Sequence, residues 1–171
     1  MKKRLIYLTF GLLALIVNGC EKDSNSNQKV ELYLIDNYSK IGTTYQINES
    51  SVIMKGSPLI YYTDILSYDS TEFIFELSDR AVGAIKNLEH SVHGLAFAIK
   101  ADNKLIYTGY FWPSYSSTSC GWIVIDPLTT SIGNKMQVRL GYPGLIQGQI
   151  IPDKRNDQRI IQIFKQDNKL K

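Results

Sequence analysis

The sequence predicts an α+β domain: an antiparallel sheet with one main helix, over about residues 78–90, packed on it. Three observations carry the prediction. Short runs rich in β-branched and aromatic residues alternate at period two. One segment, Ala81, Ala84, Ile85 and Leu88, repeats at helical spacing. Turn residues separate the runs at short intervals, and no internal repeat is visible.

The first strand is expected in "VELYLID", Val30 to Asp36, where Val30, Leu32 and Leu34 alternate with Glu31, Tyr33 and Ile35. Tyr45 to Ile47 and Val52 to Met54 read as brief strands, and Pro58 to Asp69 as one bent strand or two short ones. The clearest unit runs from Ser70 to Phe111. Phe73, Phe75 and Leu77 fall on one side of a strand. Ser78 then suits a helix N-cap, because its hydroxyl can accept from an orphan backbone N–H of the first turn. Leu77 and Val82 are spaced for a hydrophobic staple, and Asp79 complements the helix dipole. Gly83 costs the helix about 1 kcal/mol against alanine unless close packing requires it. "GLAFAIK" and "LIYTGYF" form a hairpin around the turn "ADNK", Ala101 to Lys104. Cys120 to Pro127 is a strand stopped by its proline, and Lys135 to Gly144 is another. Pro143 and Gly144 suit the central positions of a type II turn. After an irregular stretch, Asp157 is placed to cap a short C-terminal helix through Ile160, Ile161 and Phe164, with a strand as the alternative.

The stretch "FIFELSDRAVGAIKNL" followed by "GLAFAIKADNKLIYTGYF" resembles the head of the first periplasmic domain of SecD-type translocase subunits. The resemblance covers roughly residues 70–125, a third of the chain. It implies the order strand, helix, strand, strand, and it brings no catalytic or binding residue with it. Resemblance of this kind bears on fold and not on function.

The N-terminus predicts location. Met1-Lys2-Lys3-Arg4 is a positive n-region, and Leu5 to Val17 carries no charge. That layout is a secretory signal peptide, too short for a membrane span of roughly 20 apolar residues. "VNGC", Val17 to Cys20, resembles the lipobox of bacterial lipoproteins, which implies cleavage before Cys20 and lipidation of its sulfur and amino groups. Residues 1–19 are then signal peptide, 20–29 the lipidated cysteine with a polar tether, and 30–171 one globular domain. The charged residues Glu21-Lys22-Asp23 behind the cysteine resemble the surface-export signal of Bacteroidota lipoproteins. The expected location is the cell envelope, at the outer membrane, on its periplasmic face or at the cell surface. The membrane partner is engaged through Cys20.

Charge narrows the partners. The full chain is formally +3. Without Lys2, Lys3 and Arg4, its 19 basic residues fall to 16, equal to the 16 acidic ones. A neutral mature chain gives no net basic face for nucleic acid. With Cys20 lipidated, Cys120 has no cysteine partner in the chain.

Candidate sites are few. His90 and His93 have an i, i+3 spacing, but a zinc site wants three or four ligands, and solvated residues at a helix end are the simpler reading. Cys120 opens an apolar strand, where a small packed hydrophobe is expected rather than a nucleophile. No phosphate loop, zinc-protease helix or EF-hand loop is present, and no cofactor or metal is expected. Aromatic residues gather in "GYFWPSY", so Tyr110, Trp112 and Tyr115 form a candidate binding patch for a glycan or peptide. The leading expectation is a non-enzymatic lipid-anchored binding or accessory module that works with an envelope protein. A surface glycan- or peptide-binding lipoprotein is the alternative, and a thiol hydrolase is the last.

Overall fold

The computed structural model describes residues 28–171. Eight strands form one sheet, and three short helices pack around it. The strands are β1 (Val30–Asn37), β2 (Ile53–Met54), β3 (Ile65–Asp69), β4 (Ile74–Leu77), β5 (Leu95–Ala101), β6 (Lys104–Phe111), β7 (Cys120–Ile125) and β8 (Lys135–Tyr142). The helices are α1 (Asp79–Lys86), α2 (Pro127–Thr130) and α3 (Gln158–Gln166). The sheet order is β2-β1-β5-β6-β7-β8-β4-β3. Every pair is antiparallel except β6 and β7, which run parallel with Tyr110 opposite Val124 and Phe111 opposite Ile125.

Local rules account for the elements that the pattern predicts. Val30, Leu32 and Leu34 are buried, while Glu31 and Tyr33 are only partly so. Ser78 Oγ accepts from the Ala81 N–H at 3.3 Å, and Leu77 and Val82 are both buried beside that cap. Asp102 and Asn103 take φ of 51° and 60°, the left-handed pair that a two-residue hairpin turn demands. Asp157 caps α3 by accepting from the Arg159 N–H at 3.0 Å. The buried face of α3 is Ile160, Ile163 and Phe164, so Ile163 takes the place expected of Ile161, which is only partly buried.

The structure corrects several expectations. There is no single main helix over 78–90: α1 stops at Lys86, where the Asn87 N–H turns back to Gly83 O, and α3 is one residue longer. Phe73 lies outside its strand, with φ 55° and the Arg155 guanidinium 3.5 Å over its ring. Tyr45 to Ile47 makes only an isolated bridge, Ile47 to Lys40. Gly144 is not in the left-handed region that a type II turn needs at that position; positive φ falls on Gly141, and the Tyr142–Pro143 peptide is cis. The helix α2 was not expected; Asp126 caps it from the Leu128 N–H, with Pro127 at its first position. The parallel β6–β7 pair departs from an all-antiparallel sheet because residues 112–119 run back along the sheet before β7 begins.

The sheet is curved. The helix α3 packs against β5, third in the order, yet its Phe164 ring lies 5.4 Å from Tyr68 in β3 and 6.0 Å from Phe75 in β4, at the far end. One helix therefore spans from the β3–β4 end of the sheet to β5, third from the other end. The outer edge of β3 is covered by the C-terminal tail: the Tyr68 N–H donates to Lys169 O, and the Lys171 N–H to Tyr68 O. Lys169 Nζ donates to Tyr62 O and Ile65 O, which fixes the tail over the entry to β3. Asp64, buried at that entry, accepts from Ser78 Oγ and from the Arg80 guanidinium, so β3 and α1 are joined through one carboxylate.

Two glycines test this account in opposite directions. A Cβ on Gly83 would meet nothing within 4 Å, so no packing need justifies it. Gly83→Ala should raise stability by about 0.5–1 kcal/mol in urea unfolding, through the removed helix penalty. At Gly94, φ is +79° and a Cβ would lie 2.6 Å from the Trp112 ring, so Gly94→Ala should cost about 1–3 kcal/mol. Equal effects of the two would contradict the packing described.

Candidate functional site

The histidines do not form a ligand pair. Because α1 ends at Lys86, His90 and His93 follow in irregular chain, and helical i, i+3 geometry is lost. Among the described residues, no group of three His, Cys, Asp or Glu side chains is placed to hold a metal ion.

Cys120 is fully buried in β7, and burial pushes its thiol up to about 12. A nucleophilic cysteine needs the opposite shift, toward thiolate at neutral pH. Its neighbours across the sheet lie in β8, with Tyr142 opposite.

The aromatic patch does not assemble at the surface. Tyr110 and Trp112 are 0% exposed, and only Tyr115, at 55%, faces solvent. The reason is local. The Trp112 N–H donates to Ile125 O, which extends the β6–β7 pairing by one residue. Its indole N–H donates to Thr118 O at 3.1 Å, so the following loop folds over the ring. The segment 38–47 then covers this side: Tyr45 meets Trp112 edge-on at 5.2 Å and Tyr110 at 6.1 Å. These rings are core, and burial drives the Tyr110 phenol far above its usual range. Cys20 lies outside the described residues.

What the structure does form is a cleft of about 180 Å³. Tyr107, Trp122 and Ile123 line it from β6 and β7. Ile41 and Ile47 line it from the segment after β1, and Pro152 from the chain before α3. Gln46, Glu49 and Lys154 add polar groups. Local chemistry places each part. Asn48 caps a 3-10 turn over Glu49–Ser51, accepting from the Ser50 N–H, and that turn holds Glu49 beside β6. Trp122 is oriented by its indole N–H, which donates to Thr108 Oγ at 3.2 Å. Lys154 Nζ donates to both Glu49 carboxylate oxygens, at 3.0 and 2.9 Å. That ion pair is partly exposed, so it contributes only about 0–1 kcal/mol, little enough to open.

The cleft is small beside ordinary ligand pockets of roughly 300–1,000 Å³. Its apolar lining and two opposite charges suit one inserted side chain, with polar contacts to the backbone around it. None of its residues belongs to the Tyr110, Trp112 and Tyr115 patch expected from the sequence. They come from segments 41–49, 107, 122–123 and 152–154, and no spacing signal links segments so far apart. The chain matches no family model, no curated protein and no solved structure.

The burial of Cys120 gives a direct test. In native protein at pH 8, iodoacetamide should leave Cys120 unmodified over hours, and alkylate it on denaturation, as read by intact mass. Rapid native alkylation would show that the thiol is accessible and return a nucleophilic role to consideration.

Proposed function

We propose that this chain is a non-enzymatic lipoprotein of the bacterial envelope, held at the outer membrane through a lipidated Cys20, and that its domain is a binding or accessory module. The observation that supports a binding role is the apolar cleft between Ile41, Ile47, Tyr107, Trp122, Ile123 and Pro152, with Glu49 and Lys154 beside it. Its partner is an envelope protein that inserts one aromatic or branched side chain. Nucleic acid is a poor partner, since 16 basic residues meet 16 acidic ones once Lys2, Lys3 and Arg4 are removed. The glycan-binding alternative has lost two of its three contact rings to the core. The likeness to SecD-type heads over residues 70–125 suggests a strand and helix order, and no partner is drawn from it.

Two experiments test this reading. Random peptides selected on the immobilised protein should share an aromatic or branched anchor residue. Ile41 is half-exposed at the cleft. Ile41→Glu should weaken those peptides about tenfold or more, a change of about 1.4 kcal/mol. Undiminished binding to Ile41→Glu would remove the cleft as the site. For the anchor, cells given a fatty-acid analogue should label the wild-type chain and not Cys20→Ala. Label retained in the variant would end the lipoprotein reading.

A further inference from the structure

The register of the sheet places two features at one end of the domain. β1 begins at Val30, opposite Ala101, beside the β5–β6 turn. β6 runs away from that turn, β7 runs parallel to β6, and β8 returns antiparallel, so that Tyr142 ends opposite Cys120. The chain leaving β8 is therefore delivered to the end of the sheet at which the N-terminal segment enters.

There it forms the segment "GLIQGQII", Gly144 to Ile151, which carries no charge. Leu145, Ile146 and Ile150 are exposed by 62%, 42% and 90%. The exposure is built into the loop. At its root the Arg139 guanidinium donates to Pro143 O, and the Tyr142 hydroxyl donates to Ser114 O. The Gln149 side chain donates to Gly121 O, and Ile151 is buried. The loop is tied down on both sides while its three aliphatic side chains point outward. Around the entry of β1, Lys29, Lys100 and Lys104 outnumber Glu31 and Asp102.

From Cys20 to Gln28 is eight residues, a reach of at most about 29 Å at roughly 3.6 Å per residue. A lipid on Cys20 thus holds this end of the domain near the bilayer. We infer that the 144–151 loop docks onto the lipid surface and seats Leu145, Ile146 and Ile150 among the headgroups and upper acyl chains, with the lysines meeting lipid phosphates. The inference rests on the proposed lipidation of Cys20. Its consequence is a fixed orientation: the opposite end of the sheet, which carries α1 and α2, faces away from the membrane.

The test uses the full, lipidated chain in vesicles of phosphatidylethanolamine and phosphatidylglycerol. Ile150→Cys is labelled with bimane; Cys20 is occupied by lipid and Cys120 is buried. Ile132→Cys, an exposed position between α2 and β8 at the far end, is the control. Bimane at residue 150 should shift to the blue, lose intensity to doxyl-labelled lipid and resist aqueous iodide; bimane at residue 132 should do the reverse. Iodide quenching at residue 150 in protein that floats with the vesicles would overturn the docking and leave the anchor standing. Shielding from both quenchers would assign the loop to a protein surface and equally overturn it. Failure of the protein to float would overturn the anchor, and the docking with it.

Discussion

The rest of the structure depends on the closure of the curved sheet around Phe164. This ring touches Tyr68, Phe75 and Tyr62, residues that belong to the last strands of the sheet and the turn before them. The same helix packs on β5, near the other end. An eight-stranded open sheet would otherwise expose one whole apolar face, and burial of that face supplies the main driving force for the fold. Among the described residues Cys120 is the lone cysteine, and the contacts that hold this closure there are packing and hydrogen bonds. The tail after α3 contributes by pairing with Tyr68 and by placing Lys169 over the carbonyls of residues 62 and 65.

Closure also explains where the cleft lies. The chain that follows β1 crosses to β6, and the chain that precedes α3 crosses beside it, so the two segments face each other across Tyr107 and Ile123. Glu49 and Lys154 bridge them with a weak, partly exposed ion pair. A cleft made this way keeps its floor rigid, since the floor is the sheet itself, while its walls are loops.

The aromatic segment after β6 shows how context reverses a local reading. As a string, "GYFWPSY" looks like a contact loop, because Tyr and Trp favour interfaces. In the fold, one added backbone hydrogen bond carries Trp112 into the sheet, and Gly94 leaves room for its ring. The segment 38–47 then seals Tyr110 and Trp112 in edge-on contact with Tyr45. Only Tyr115, beyond the proline, stays outside. Exposure is a property of what lands on top of a strand, and period two cannot report it when both faces are covered.

By itself, the sequence determined the local parts. The Ser78 and Asp157 caps, the Asp102-Asn103 turn and the alternation in β1 each follow from interactions within a few residues. It also set the full chain's formal charge of +3. Only the tertiary structure decided the strand order, the parallel β6–β7 pair, the early end of α1, the cleft and the burial of the aromatic loop. Those features join residues tens of positions apart. Their energy comes from packing between distant segments, which have no sequence spacing to reveal them before the chain has folded.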